Sequence, residues 1–287
     1  MWLTNSSVGK KVVMSLTGLF LILFVTFHVL MNVVGIISPE GYNLVCEFLG
    51  ANWYALLGTL ILAAGAVIHI IYAFWLTFQN RKARGNNAYA VSHRPKNVEW
   101  ASQNMLALGI VVIAFLIVHM MQFWAKMQLP EMLGEHLPMK GMGYIYTTFG
   151  GTCGYITLVI YLIGFTALWF HLTHGFWSAF QSLGTNNTIW LPRLKAIGCI
   201  WATVVCGLFA IEAIVFTAKA NCPKCEATNA EYMYNCPAAC TGEVECVETV
   251  QCVMEVCEQS CGDACQTPCT KEDCAACPES KCAGECK

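Results

Sequence analysis

Residues 154–180 read GYITLVIYLIGFTALWFHLTHGFWSAF. The stretch holds no Asp, Glu, Lys or Arg, but it holds two histidines, His171 and His174. At a rise of about 1.5 Å per residue, a helix of this length crosses a hydrocarbon core of about 30 Å. Four further runs are equally long and apolar: 12–37, 54–79, 105–129 and 194–218. Of the 287 residues, 56% are hydrophobic and 12% charged, about half the charge usual in a soluble domain. The expected fold is an all-α membrane protein, a bundle of five transmembrane helices with an extramembrane Cys-rich C-terminal tail. The first run is long enough to span, so it is not read as a cleaved leader.

Charge and cysteine divide the chain at about residue 220. Residues 1–220 carry 12 Lys/Arg against 6 Glu, and residues 221–287 carry 12 Asp/Glu against 4 Lys. The second part also holds 14 of the 18 cysteines. The expected domains are a membrane domain, 1–220, and an acidic Cys-rich tail, 221–287.

Lys10, Lys11, Arg81, Lys82, Arg84, Arg94, Lys96, Arg193 and Lys195 all fall on one side of the five spans. The loops opposite hold Lys126 and Lys140. Cytoplasmic loops retain positive charge, so the N-terminus is expected inside. Five crossings then place the tail outside, in the periplasm of a cell with a bacterial inner membrane.

Five of the seven histidines lie in the spans: His28, His69, His119, His171 and His174. His93 and His136 lie in loops and read as solvated. Ionisable groups inside a bilayer are expensive and mark sites by default. His28 and His119 are nine and ten residues from the outer ends of their runs, a depth of about 14 Å. His69 and His171 are ten and nine residues from the inner ends of theirs. A lone membrane histidine is commonly bonded to a backbone carbonyl. Four of them in two depth-matched pairs, each pair split between two helices, suit axial ligation of two haems. Gly18 and Gly109 each precede the histidine of their helix by ten residues. Gly65 precedes His69 by one turn and Gly175 follows His171 by one turn. Glycine makes room for a flat ring or for a close helix. His174 is one turn from His171, nearly on the same face, and competes with it as ligand.

These residues carry a family resemblance over 1–218. The quoted features are SLTGLF at 15–20 followed by His28, His69 followed by Tyr72, His119, and FHLTHGFW at 170–177 with Gln181 and Gly184 beyond it. The chain resembles the five-helix, single-subunit dihaem cytochrome b anchor of succinate dehydrogenase and fumarate reductase. The resemblance implies two haem b groups, one held by His69 and His171 and the other by His28 and His119. It implies a flavoprotein subunit and an iron–sulfur subunit on the cytoplasmic side, with menaquinone as membrane substrate. The chain would pass electrons between the iron–sulfur subunit and quinone, as one subunit of the enzyme. The family's outer-loop acid, which exchanges protons at the quinone site, is matched by Glu47, with Glu40 second. Some members carry a membrane glutamate two residues before the fourth ligand. Here Trp169 occupies that position, and Glu212 is the one acid well inside a span.

Three other readings stay open: a cytochrome b anchor for a hydrogenase or formate dehydrogenase, a haem-free proton-coupled transporter, and a structural anchor whose function lies in the tail. The tail contains Cys222-Pro-Lys-Cys225, Cys274-Ala-Ala-Cys277, and Cys257, Cys261, Cys265 and Cys269 at a step of four. Outside a cell these read first as disulfides. Thiolate binding of zinc or another soft metal is the rival, and a disordered tail a third possibility. The basic loop at 81–96 follows from the inside bias alone or docks soluble subunits. Nothing points to nucleic acid, and the remaining partner is membrane lipid.

Overall fold

The computed structural model describes residues 6–50, 52–84, 99–135 and 137–222. The tail beyond Cys222, His93 and His136 lie outside the described residues. Every regular element among the described residues is a helix. In chain order these are α1 (Ser7–Ile37), α2 (Pro39–Gly50), α3 (Trp53–Arg84), α4 (Trp100–Gln103) and α5 (Met105–His119). A π-helical turn, Met120–Trp124, follows α5. Then come α6 (Gln128–Met132), α7 (Gly141–Phe149), α8 (Gly151–Ser182) and α9 (Trp190–Ala220). Among the described residues, five helices are long and apolar enough to cross a membrane: α1, α3, α5 with its π turn, α8 and α9.

Local chemistry sets the ends. Ser6 caps α1, its Oγ accepting from the Gly9 amide at 2.9 Å. Ser38 caps α2 in the same way through Gly41 at 3.0 Å, with Pro39 in the first turn. Asn187 Oδ1 accepts from the amides of Ile189 and Trp190 at the start of α9. α8 ends on Gly184, whose φ of +107° suits a residue without a side chain. The Thr185 amide then bonds back to the Phe180 carbonyl at 3.1 Å.

Along the spans, large apolar side chains stay exposed where a soluble protein would cover them: Leu23 at 69%, Ile163 at 58% and Ile200 at 66%. That is the surface a lipid-facing helix presents, because its backbone groups are satisfied within the helix.

The chain divides into two compact units. Unit 1 comprises Met1–Val34, Asn52–His119 and Val159–Ala213, so it takes part of every spanning helix. Its interior is aromatic. Phe165 stacks on Phe209 at 5.4 Å and meets Phe115 edge-on, also at 5.4 Å. Trp201 donates to Thr26 Oγ1 at 3.1 Å, tying α9 to α1. Trp169 donates to Thr203 Oγ1 at 2.9 Å, tying α8 to α9.

Unit 2 comprises Gly35–Ala51, Met120–Leu158 and Ile214–Lys287. Its described part is organised on α2 and α7. Asn43 Oδ1 accepts from the Met142 amide at 2.8 Å. Gly141 sits against Cys46, where a Cβ would lie 2.5 Å from the sulfur. Asn221 closes the unit, accepting from the Gly151 amide at 2.7 Å and donating to the Phe149 carbonyl at 2.9 Å.

Three elements depart from the sequence expectation. The third span ends at Trp124 rather than near Leu129, because the α-helix gives way to a π turn directly after His119. The Ala125 amide reaches the Met120 carbonyl at 2.8 Å, the i→i+5 bond of that turn. His119 is therefore five residues from the end of its span, not ten. The segments 39–50 and 141–149, expected as loops, form α2 and α7.

Candidate functional site

All four histidines singled out as ligands lie in unit 1, and their rings come together in twos. His28 on α1 faces His119 on α5, with ring centroids 5.8 Å apart and planes at 83°. His69 on α3 faces His171 on α8 at 6.4 Å and 66°. Among the described residues, no group of three or more His, Cys, Asp or Glu gathers as a metal site. The arrangement is thus one of facing pairs.

The glycines measure the separation of the pairs. A Cβ on Gly18 of α1 would meet His69 Cε1 at 3.4 Å, and one on Gly109 of α5 would meet His171 Cε1 at 3.9 Å. Each glycine therefore marks, on its own helix, the level of the His69/His171 pair. Each lies ten residues before the histidine of the other pair on that helix. Ten residues of helix rise about 15 Å. Two independent helices give the same spacing between the pairs. The other two glycines behave differently. A Cβ on Gly65 would meet the Phe20 ring at 2.9 Å, a helix-packing contact, and one on Gly175 would meet nothing within 4 Å.

Neighbouring side chains orient the rings. Thr17 Oγ1 donates to the Val13 carbonyl at 2.9 Å and lies 3.2 Å from His69 Nδ1. Its one proton being committed to the carbonyl, Oγ1 accepts from the imidazole. Nδ1 then carries the ring proton and Nε2 keeps its lone pair, the tautomer a metal requires. His119 Nδ1 lies 3.3 Å from the Tyr161 hydroxyl. Asn32 donates to the His28 carbonyl at 2.8 Å and lies 3.5 Å from His28 Nε2. His171 Nδ1 is buried without a hydrogen-bond partner, a costly state that a bound group can relieve.

The pair geometry fits a metal held between two imidazoles. Two metal–nitrogen bonds of about 2.0 Å, with each ring centre about 1.2 Å behind its nitrogen, put the centroids about 6.4 Å apart. The His69/His171 pair stands at that distance, and His28/His119 within about 0.6 Å of it.

His174 stands toward Glu99, and its Nδ1, like that of His171, is buried without a hydrogen-bond partner. Its Nδ1 lies 3.7 Å from Glu99 Oε2, and its ring meets Trp177 at 4.8 Å. Lys195 bonds the other Glu99 oxygen at 2.8 Å and lies over the Trp177 ring at 4.2 Å. Burial pushes the Glu99 carboxyl up, but the Lys195 bond and charge, with His174, outweigh it and hold the group below its usual range. Nothing local in the sequence pointed to Glu99, since its partners are 75 and 96 residues away.

The acids outside the spans separate too. Glu47 is exposed on α2, and Glu40 accepts from Ser38 Oγ at 3.1 Å in the first turn of that helix. Glu131 on α6 is partly buried, and its carboxyl packs against Gly50. Burial raises the Glu131 carboxyl above its ordinary value. The acid-plus-loop reading of the sequence missed it, since its packing against α2 depends on contacts about 80 residues away.

Comparison with known proteins returns no matching family model, no matching curated protein and no matching solved structure.

The raised Glu131 carboxyl has a consequence for stability. The folded state binds that proton more tightly than the unfolded chain does. Its contribution is present below the unfolded pKa and is lost as pH rises through the raised folded value. Glu131→Gln should therefore raise the thermal midpoint of the detergent-solubilised protein relative to wild type at pH 7, with no gain at pH 4. Equal midpoints at pH 7 would remove the burial penalty from the account.

Proposed function

We propose that this chain is a membrane electron-transfer subunit with two b haems, of the kind that anchors succinate dehydrogenase or fumarate reductase. The observation that carries the reading is the double pairing: His28 with His119 and His69 with His171, each across two helices at the span of a metal between imidazoles. The second support is the level set by Gly18 and Gly109, small residues where the first and third spanning helices pass the His69/His171 rings.

His69 and His171 would hold one haem, and His28 and His119 the other. Bound there, a b haem supplies one-electron transfer at a potential set by its axial ligands and their surroundings. The chain's own contribution is placement. Thr17 fixes the tautomer of His69. Tyr161 engages His119 Nδ1. Phe24 stacks on the His28 ring at 5.4 Å, and Phe115 lies against His119 at 6.0 Å. Bulky apolar neighbours of this kind keep water from the imidazoles. Gly164 lets Phe115 take that position, because a Cβ there would overlap the Phe115 ring.

In this reading the N-terminus and the basic loop face the cytoplasm of a bacterial cell, where the flavoprotein and iron–sulfur subunits dock. The Cys-rich tail faces the periplasm. Menaquinone is the membrane partner, and Glu47, exposed on α2, exchanges protons with it.

The pairing predicts which histidine matters. His171→Leu should remove about half of the reducible b-type absorbance of the purified chain, whereas His174→Leu should leave it at the wild-type level. The reverse outcome would make His174 the ligand. Loss in neither variant would place the haem ligands elsewhere, and a wild-type chain without b-type absorbance would favour the haem-free transporter. For the quinone end, Glu47→Gln should slow menaquinol-analogue turnover in the intact complex while succinate oxidation by an artificial soluble acceptor continues. Unaltered quinone turnover would release Glu47 from the site and turn attention to Glu131.

A further inference from the structure

At the basic end of unit 1 one lysine is enclosed. Lys10, in the first turn of α1, is 8% exposed, whereas Lys11 beside it is exposed. The Lys10 ammonium lies 4.8 Å from the centre of the Trp75 ring on α3. With its oxygen turned to its two donor neighbours, the Gln79 amide accepts from Lys10 Nζ at 3.0 Å and from Trp75 Nε1 at 2.8 Å. Neither partner carries a negative charge. α1 and α3 contain no Asp or Glu. Unit 1 holds two acids: Glu99, bonded to Lys195, and Glu212, buried on α9 seventeen residues beyond Lys195. An ammonium taken from water without a counter-charge is costly, and its three N–H donors need acceptors.

Two helices fix the level of that ammonium. Lys10 is eight residues before Gly18 on α1, and Gln79 is ten residues after His69 on α3. At about 1.5 Å per residue, both lie about 12–15 Å from the His69 level, toward the basic end. Side chains lean toward the N-terminus of their helix, so the Lys10 chain leaves α1 away from the histidines. Its counter-charge therefore comes from the membrane surface and not from the bundle interior. Gln79 is exposed, which leaves the ammonium open from that side, and Lys11, Arg81 and Lys82 are exposed cations at the same end. Apolar surface adjoins them: Trp75 is 40% exposed and Phe78 62%. A free inorganic anion would meet the charge and leave those rings uncovered. A phospholipid supplies a phosphate and acyl chains together, and basic pockets between spanning helices bind anionic headgroups in this way.

We propose that Lys10, with Trp75 and Gln79, forms a site between α1 and α3 for the headgroup of one anionic phospholipid. The lipid phosphate accepts from the Lys10 ammonium, and the acyl chains cover the exposed faces of Trp75 and Phe78. Arg81 and Lys82 add attraction for a net negative headgroup over a zwitterionic one. The site stands on the packing of α1 against α3 and does not depend on the haem reading.

The test is native mass spectrometry of the delipidated full chain in detergent, titrated with phosphatidylglycerol, with phosphatidylcholine as the zwitterionic control. Wild type should retain one phosphatidylglycerol in preference to phosphatidylcholine. Lys10→Gln should weaken that retention by about tenfold, the loss of one hydrogen bond to a charged group. Lys10→Arg should keep it, and so should Lys11→Gln, which removes an exposed cation at the next position. Helix content by circular dichroism should be the same in all four proteins. Equal retention of the two lipids by wild type would overturn the proposal. So would undiminished phosphatidylglycerol binding in Lys10→Gln, or an equal loss in Lys11→Gln. Displacement of the lipid by millimolar inorganic phosphate would make a free anion the ligand and overturn the lipid assignment. Loss of b-type absorbance in Lys10→Gln with lipid retention intact would give the lysine to a haem propionate instead.

Discussion

The arrangement depends on the cost of placing an imidazole in an apolar interior. Each ring nitrogen there needs a partner or remains a penalty. The chain meets the requirement in part: rings from separate helices meet edge-on, Thr17 is the polar neighbour of His69 Nδ1 and Tyr161 that of His119 Nδ1, and His171 Nδ1 is left without a hydrogen-bond partner. Helical geometry propagates the constraint. Once Gly18 is set beside His69, His28 on the same helix is carried about 15 Å along the axis, and α5 repeats the step from Gly109 to His119. Phe115, Phe165 and Phe209 then fill the space around the His28/His119 pair, and Gly164 is small because Phe115 lies against it.

Much of this was legible in residue spacing. Five uninterrupted apolar runs specify five spanning helices, since hydropathy and length act locally. The sequence paired His28 with His119 and His69 with His171 by counted depth, and the rings do meet in those twos. The depth itself was not legible for the third span. Met120–Trp124 interrupts the apolar run only with Gln122 and has no Gly or Pro to announce the π turn. Counting from its apolar end therefore placed His119 five residues too deep. The helices α2 and α7 escaped because short amphipathic segments between spans resemble loops in composition. Gly18 and Gly109 were visible as a repeated offset, but only the fold shows that each faces the other pair's ring.

Partnerships between distant residues were the least legible. Glu99 lies beside a basic loop, where a solvated acid is the default expectation. Its bond to Lys195 and its 3.7 Å approach to His174 are set by the packing of α8 and α9 in unit 1. The two histidines of α8 stand toward different neighbours. The same unit holds His174 against a carboxylate and Trp177, and turns His171 to His69. Trp169 shows the opposite case. It stands where some members of the family that the sequence resembles carry a glutamate, and its indole spends its donor on Thr203. The one acid left within the apolar interior of unit 1 is Glu212.

The most direct measurement is the haem content of the purified full-length chain, by haemochrome absorbance against amino-acid analysis, with an electron paramagnetic resonance spectrum of the oxidised protein. Two facing pairs of imidazoles predict two haems per chain, both six-coordinate and low-spin. A ratio near one, a high-spin signal, or no haem at all would contradict the account.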